Sequence, residues 1–242
     1  MYRSVLPLSF QRGVMLGKAA SGCLVFIVLL IVSVIVIYWV GFPKVSYKYR
    51  LTVAVESDGR VHSGSSVIEV DYQFWPKALR GLVGGSSGHG SVTGQAVVID
   101  LGARGALVAA LGGLPGDYCV VSALSLVGRA YEPAVRRRRC VSGYPLSYEN
   151  ERALANESGS VELTRDNLPA FIWFADKADS TWRQVEPSDF PTVIGDATRL
   201  VSAQIEITHE PVVIDIDKKL PAYTELRAKS DSWRQFVSEG DK

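Results

Sequence analysis

Tyr47-Lys48-Tyr49-Arg50-Leu51-Thr52-Val53-Ala54-Val55-Glu56 alternates apolar and polar side chains, and Ser57-Asp58-Gly59-Arg60 follows it directly. Side chains on a strand point to opposite faces in turn, so this spacing predicts a strand with Tyr47, Tyr49, Leu51, Val53 and Val55 on its buried side. Asp-Gly supplies the positive φ that a tight hairpin needs, which places a return strand over residues 61–74. Ile68, Val70, Tyr72 and Phe74 mark the buried face of that second strand.

The pattern recurs downstream. Residues 95–101, the turn Gly102-Ala103-Arg104-Gly105 and residues 106–111 make a second hairpin signature. Between the hairpins, Gly84-Gly85-Ser86-Ser87-Gly88-His89-Gly90-Ser91 is too glycine-rich for regular structure and is expected to be a surface loop. After Pro115 the periodicity weakens: a short helix is expected over 147–156 and a buried strand over 170–175, with 182–185 beside it. A helix start follows at Pro187, then a strand over 200–208, a short strand over 212–216 and a helix with frayed ends over 222–237. Several strands with few helices define an α+β fold: a mainly antiparallel, β-rich soluble domain over residues 42–242.

Upstream the composition changes character. Residues 19–41 carry no ionisable side chain except the Cys23 thiol, and Cys23-Leu24-Val25-Phe26-Ile27-Val28-Leu29-Leu30 opens an apolar run that continues to Val40. At ~1.5 Å per residue such a run approaches the ~30 Å of a bilayer's hydrocarbon layer, so residues 19–41 read as a transmembrane helix whose partner is the lipid bilayer. Tyr38 and Trp39 fall where aromatic rings favour the headgroup region, and Pro43 ends the helix. A cleaved signal peptide fits poorly, because Trp39-Val40-Gly41-Phe42-Pro43 is not a small-residue cleavage site. Lipidation fails as well: Ala20-Ser21-Gly22-Cys23 precedes the apolar run, and Tyr2 occupies the position that myristoylation requires to be Gly. Arg3, Arg12 and Lys18 on one side balance Lys44, Lys48 and Arg50 on the other, so the positive-inside count is tied. A short basic tail, residues 1–18, ahead of one uncleaved span is the usual signal-anchor arrangement, which puts the tail in the cytoplasm and residues 42–242 outside.

Charge excludes little else. The chain has 26 basic and 25 acidic residues and a formal charge of +1, which removes the general argument for nucleic-acid binding. Cys119 and Cys140 form an even pair in the outer domain; a disulfide between them would contribute ~3 kcal/mol, and two buried thiols are the other reading. No Cys/His spacing suggests zinc.

Leu51-Thr52-Val53-Ala54-Val55, Asp58-Gly59, Ser63-Gly64-Ser65-Ser66-Val67-Ile68-Glu69-Val70 and the stretch from Phe174-Ala175-Asp176 through Val185-Glu186-Pro187-Ser188-Asp189 resemble an uncharacterised family of bacterial single-pass membrane-anchored proteins. Ile205-Glu206-Ile207-Thr208, Glu210-Pro211-Val212 and Lys218-Lys219-Leu220-Pro221 resemble its C-terminal signature. The resemblance implies a bacterial inner-membrane location with the domain facing the periplasm, and it carries no activity or site to transfer.

Candidate chemistry is sparse. The Gly84–Gly94 region lacks both the G-x-x-x-x-G-K-[ST] and the G-x-G-x-x-G phosphate cradles, and His89 within it reads as solvated. His62 beside Ser63, Ser65 and Ser66 offers a base and hydroxyls, yet His62 and Ser63 point to opposite faces of a strand, while His62 and Ser66 lie ~13 Å apart. Asp215 and Asp217 share one face of an extended segment, a pattern that suits a hard cation or acid–base work and equally a solvated strand followed by Lys218 and Lys219. Arg136, Arg137, Arg138 and Arg139 are the sharpest local feature, able to engage an anion or acidic partner, or simply to be solvated beside Glu149 and Glu151. The sequence reading therefore names no catalytic, cofactor or metal residue. It expects a membrane-anchored envelope protein that binds or assembles with an envelope protein partner. Two alternatives accompany it: an envelope hydrolase assembled from His62, His209, Asp215, Asp217 and serines, and a cytoplasmic tether holding nucleic acid through the arginine run. A binding module is expected to show an exposed strand edge or apolar patch, an enzyme a pocket with converging histidines or carboxylates.

Overall fold

The computed structural model describes residues 25–35, 42–76, 88–112, 122–131, 147–229 and 236–239. The chain divides into two compact units, Met1–Pro43 and Lys44–Lys242. In the first, residues 25–35 are helical. Among the described residues no helix is long and apolar enough to cross a membrane. Cys119, Cys140 and the four arginines Arg136 to Arg139 lie outside the described residues.

The second unit is an α+β fold whose strand pairings are all antiparallel. Strands β1 (Lys44–Ser57) and β2 (Arg60–Phe74) form the expected hairpin, in register from Lys44 opposite Gln73 to Ser57 opposite Arg60. Asp58 and Gly59 have φ of 52° and 73°, the two positive values of the two-residue turn that matches strand twist. Around the hairpin stand β3 (Gly88–Gln95), β6 (Ser160–Glu162), β9 (Arg199–Thr208) and β10 (Val237–Glu239), giving a six-stranded sheet in the order β10-β3-β2-β1-β9-β6. A four-stranded sheet has the order β4-β5-β7-β8, from β4 (Val97–Asp100), β5 (Ala106–Ala109), β7 (Phe171–Phe174) and β8 (Arg183–Val185). Five α-helices, beside three single-turn 3-10 helices, complete the unit among the described residues: α1 (Ala123–Tyr131), α2 (Tyr148–Leu154), α3 (Phe190–Val193), α4 (Ile216–Lys219) and α5 (Ala222–Lys229).

Burial explains the layering. Tyr49, Val53, Val55, Ile68 and Val70 from the first sheet meet Val97, Ile99, Leu107 and Phe171 from one face of the second. The opposite face of the second sheet sends Ala106, Val108, Ile172 and Phe174 into a separate cluster with Leu220, Tyr223, Leu226 and Phe236. All four residues of β5 are consequently buried, which is why that strand reads as a continuous apolar run rather than an alternation.

Three buried tyrosines fasten the helices to the first sheet. Tyr49 donates its hydroxyl to the Ala123 carbonyl at 2.8 Å, Tyr72 donates to the Leu124 carbonyl, and Tyr47 donates to Glu151 Oε2 at 3.0 Å. Helix α2 begins where Ser147 caps it, its hydroxyl accepting from the Asn150 N–H at 3.1 Å.

The structure corrects three expectations. Gly88 to Ser91 are not loop: they begin β3, pairing with β2 from Phe74 to Asp71. Glycine is required there by packing, because a Cβ on Gly90 would lie 2.7 Å from Tyr72 Cε1 and 2.9 Å from Leu124 Cδ2. Residues 212–216 form no strand; the chain crosses the sheet instead of joining it, and Ile216 opens α4. Helix α5 is described over Ala222–Lys229, and Val237 is not helical but belongs to β10, where it pairs with Gln95. Helix α1 and strand β6 were not expected from the sequence.

A candidate binding groove beneath a pinned strap

The face of the six-stranded sheet that points away from the core is polar. Even-numbered β1 residues and odd-numbered β2 residues meet there, Arg50 opposite Val67, Thr52 opposite Ser65 and Ala54 opposite Ser63. Directly after β9, residues 209–215 join no strand and run across this face as a strap, from Glu210 at Arg50 on β1 to Asp215 at Gln95 on β3. Between strap and sheet lies a cleft of about 490 Å³, floored by Thr52, Ser63 and Ser65 and walled by Glu210, Pro211 and Val213.

Both ends of the strap are fixed. At one end Glu210 pairs with Arg50. At the other, Asp215 receives a hydrogen bond from Gln95 Nε2 at 2.7 Å and returns one from its own N–H to Gln95 Oε1 at 2.7 Å. Lys219, one helical turn on, adds an ion pair to Asp215 at 2.9 Å. Lys219 and then Gln95 hold the Asp215 carboxyl below the usual carboxylate range. Gln95 is 2% exposed, so the junction is buried on its Gln95 side and open to solvent on the side of Asp215 and Lys219.

Between these anchors the strap is open. Val213 is 56% and Ile214 44% exposed. Val212, Val213 and Ile214 make no main-chain hydrogen bond to any described residue. The stretch Glu210-Pro211-Val212 thus belongs to the strap, and Lys218-Lys219-Leu220-Pro221 spans the end of the helix that ties it down and the turn after it.

The residues singled out from sequence are dispersed. Of the set a hydrolase would use, Asp215 and the serines Ser63, Ser65 and Ser66 line the cleft; His62, His209 and Asp217 do not. His62 lies opposite Val55, near the turn and the carboxyls of Asp58 and Asp100. Those two carboxyls are lowered chiefly by other partners, Asp58 by Arg104, which grips it at 2.6 and 2.7 Å, and Asp100 by Lys177 at 2.8 Å. His209 is exposed at the start of the strap, and Asp217 is exposed within α4. Asp215 and Asp217 therefore do not share a face of an extended segment, because the chain turns into a helix between them. His89 is exposed on β3, and Ser66, opposite Leu51, is buried. Among the described residues no three His, Cys, Asp or Glu side chains are grouped to hold a metal ion. Gln95, Thr52 and Lys219 were not singled out from sequence; the polar alternation of β1 signals Thr52, but the Gln95 to Asp215 contact spans 120 residues and has no local signature.

No family model, curated protein or solved structure matches the chain.

Proposed function

We propose that the chain is a single-pass protein of the bacterial inner membrane whose β-rich domain faces the periplasm and acts as a non-catalytic binding or assembly module. The observation that carries the binding role is the groove: a hydroxyl floor beside a strap pinned at both ends, with Val213 and Ile214 presented to solvent between the pins. Exposed apolar side chains held on a fixed backbone mark interaction surfaces. Anchoring is supported by residues 25–35, where Phe26, Ile27 and Leu29 are 66%, 56% and 60% exposed. A helix apolar all round is stable where lipid or another helix covers it, and the apolar run over 19–41 favours lipid. A membrane anchor raises the effective concentration of the groove for neighbouring envelope proteins.

Carbonate extraction and protease protection of a C-terminal tag in intact spheroplasts test the placement. The reading expects a chain that resists extraction and loses its tag to external protease. Extraction into the soluble fraction contradicts anchoring; a tag digested only after lysis reverses the orientation and turns attention to the arginine run.

A further inference from the structure

We infer that the ligand of the groove is an extended polypeptide that pairs with the main chain of residues 212–214; this rests on the reading of the groove as a binding site. The strap offers what such a peptide needs. Val212-Val213-Ile214 is a run of β-branched residues, the types that favour an extended backbone, and its main-chain groups have no partner among the described residues. Its ends are tied by Arg50 on one side and by Gln95 with Lys219 on the other, which lowers the cost of ordering the strap on binding. Three residues at ~3.3 Å each give ~10 Å of template, enough for a short β-strand addition.

The chemistry of the floor points the same way. Thr52, Ser63 and Ser65 each both donate and accept, matching the alternating N–H and C=O groups of a peptide. Each cation at the border, Arg50 and Lys219, is matched by a strap acid, Glu210 and Asp215, so the groove is neutral overall and complements an uncharged amide backbone rather than a phosphate. Among the described residues no aromatic side chain lines the cleft, so they offer no stacking platform of the kind a sugar ring would use. The outer strands of the six-stranded sheet are poorer templates, since β6 and β10 are three residues each.

The test uses the full chain in lipid nanodiscs and a phage-displayed library of short linear peptides. Selected peptides are carried into two measurements: binding to wild type and to Ser65→Trp, which fills the exposed floor, and amide hydrogen exchange of residues 212–214 with and without peptide. The inference expects peptides that Ser65→Trp rejects and that slow exchange of at least one of the Val212, Val213 and Ile214 amides about tenfold or more. Peptides that Ser65→Trp rejects but that leave those amides unprotected overturn the main-chain pairing and leave the groove as a binding site. Failure to select any peptide, or peptides that bind Ser65→Trp as well as wild type, overturns the inference; capture of a saccharide panel by wild type alone does so while preserving the groove.

Discussion

Gln95 and Asp215 hold each other through two reciprocal hydrogen bonds of 2.7 Å, side-chain amide to carboxylate and main-chain N–H to side-chain carbonyl, across 120 residues of sequence. Gln95 sits where the chain leaves β3 for β4, and Asp215 where the strap enters α4. The contact therefore joins both sheets and the C-terminal helices at one part-buried point, and the position of the strap depends on it.

Replacing Gln95 by Leu keeps the volume but removes both bonds and leaves the Asp215 N–H without its acceptor. Loss of two hydrogen bonds at this part-buried site costs about 1–2 kcal/mol. Denaturant unfolding of the full chain in detergent should show that loss, with faster amide exchange at Asp215. An unchanged midpoint would mean that the strap is held elsewhere.

Acid should loosen the same junction. The Asp215 carboxyl is held below its ordinary value by Lys219 and Gln95, so its contribution is present above the unfolded carboxylate value of ~3.9 and is lost as pH falls through the lower folded value. The Asp215 amide should accordingly exchange faster, relative to the intrinsic rate, as pH drops below ~4. Lys219→Gln should shift that loosening to higher pH by removing the first cause of the depression.

Alkali should weaken the sheet-to-helix seam. Burial, reinforced by Tyr72 and Glu151, raises the Tyr47 phenol well above its ordinary value; burial does the same for Tyr49 and Tyr72. Raised folded values mean that stability is complete below the unfolded tyrosine value of ~10 and falls as pH rises above it. Each phenol adds up to ~1.4 kcal/mol per pH unit to that slope. Tyr47→Phe should flatten the fall measured by urea unfolding between pH ~9 and ~11, while lowering stability near neutrality through the lost bond to Glu151.

Gly90→Ala tests the close packing of β3. The added methyl meets the Tyr72 ring and Leu124, and overpacking of this kind costs about 1–3 kcal/mol. Thermal unfolding should show it. Gly59→Ala at the turn makes a contrast, since a Cβ there meets nothing within 4 Å and only the positive φ opposes it.

What was legible in the sequence follows the range of the forces involved. The β1/β2 hairpin was legible because period-two alternation and Asp58-Gly59 are both local. The pairing of β7 with β8, the short helix after Ser147 and strand β9 were legible from local sequence as well. Strand β3 was not, since Gly88, His89 and Gly90 carry loop composition and are ordered by β2 and by the Tyr72 ring lying against them. Helix α1 is held by the Tyr49 and Tyr72 hydroxyls, 74 and 52 residues distant. The strap shows the opposite failure: residues 212–216 have the side chains of a strand, but their ends are captured by Arg50 and Gln95, and the backbone crosses the sheet without pairing. Of the groove, the polar face of β1 was legible; its closure by a segment more than a hundred residues away was not.

The most direct test of the groove is site-specific photocrosslinking in native membranes, with the probe at Ser65 on the floor and, separately, at exposed Ser188 on the turn after β8. The account predicts a discrete adduct from Ser65 that is absent from Ser188 and is reduced when Gln95→Leu frees the strap. Adducts that are identical from both positions, or none from Ser65, would contradict it.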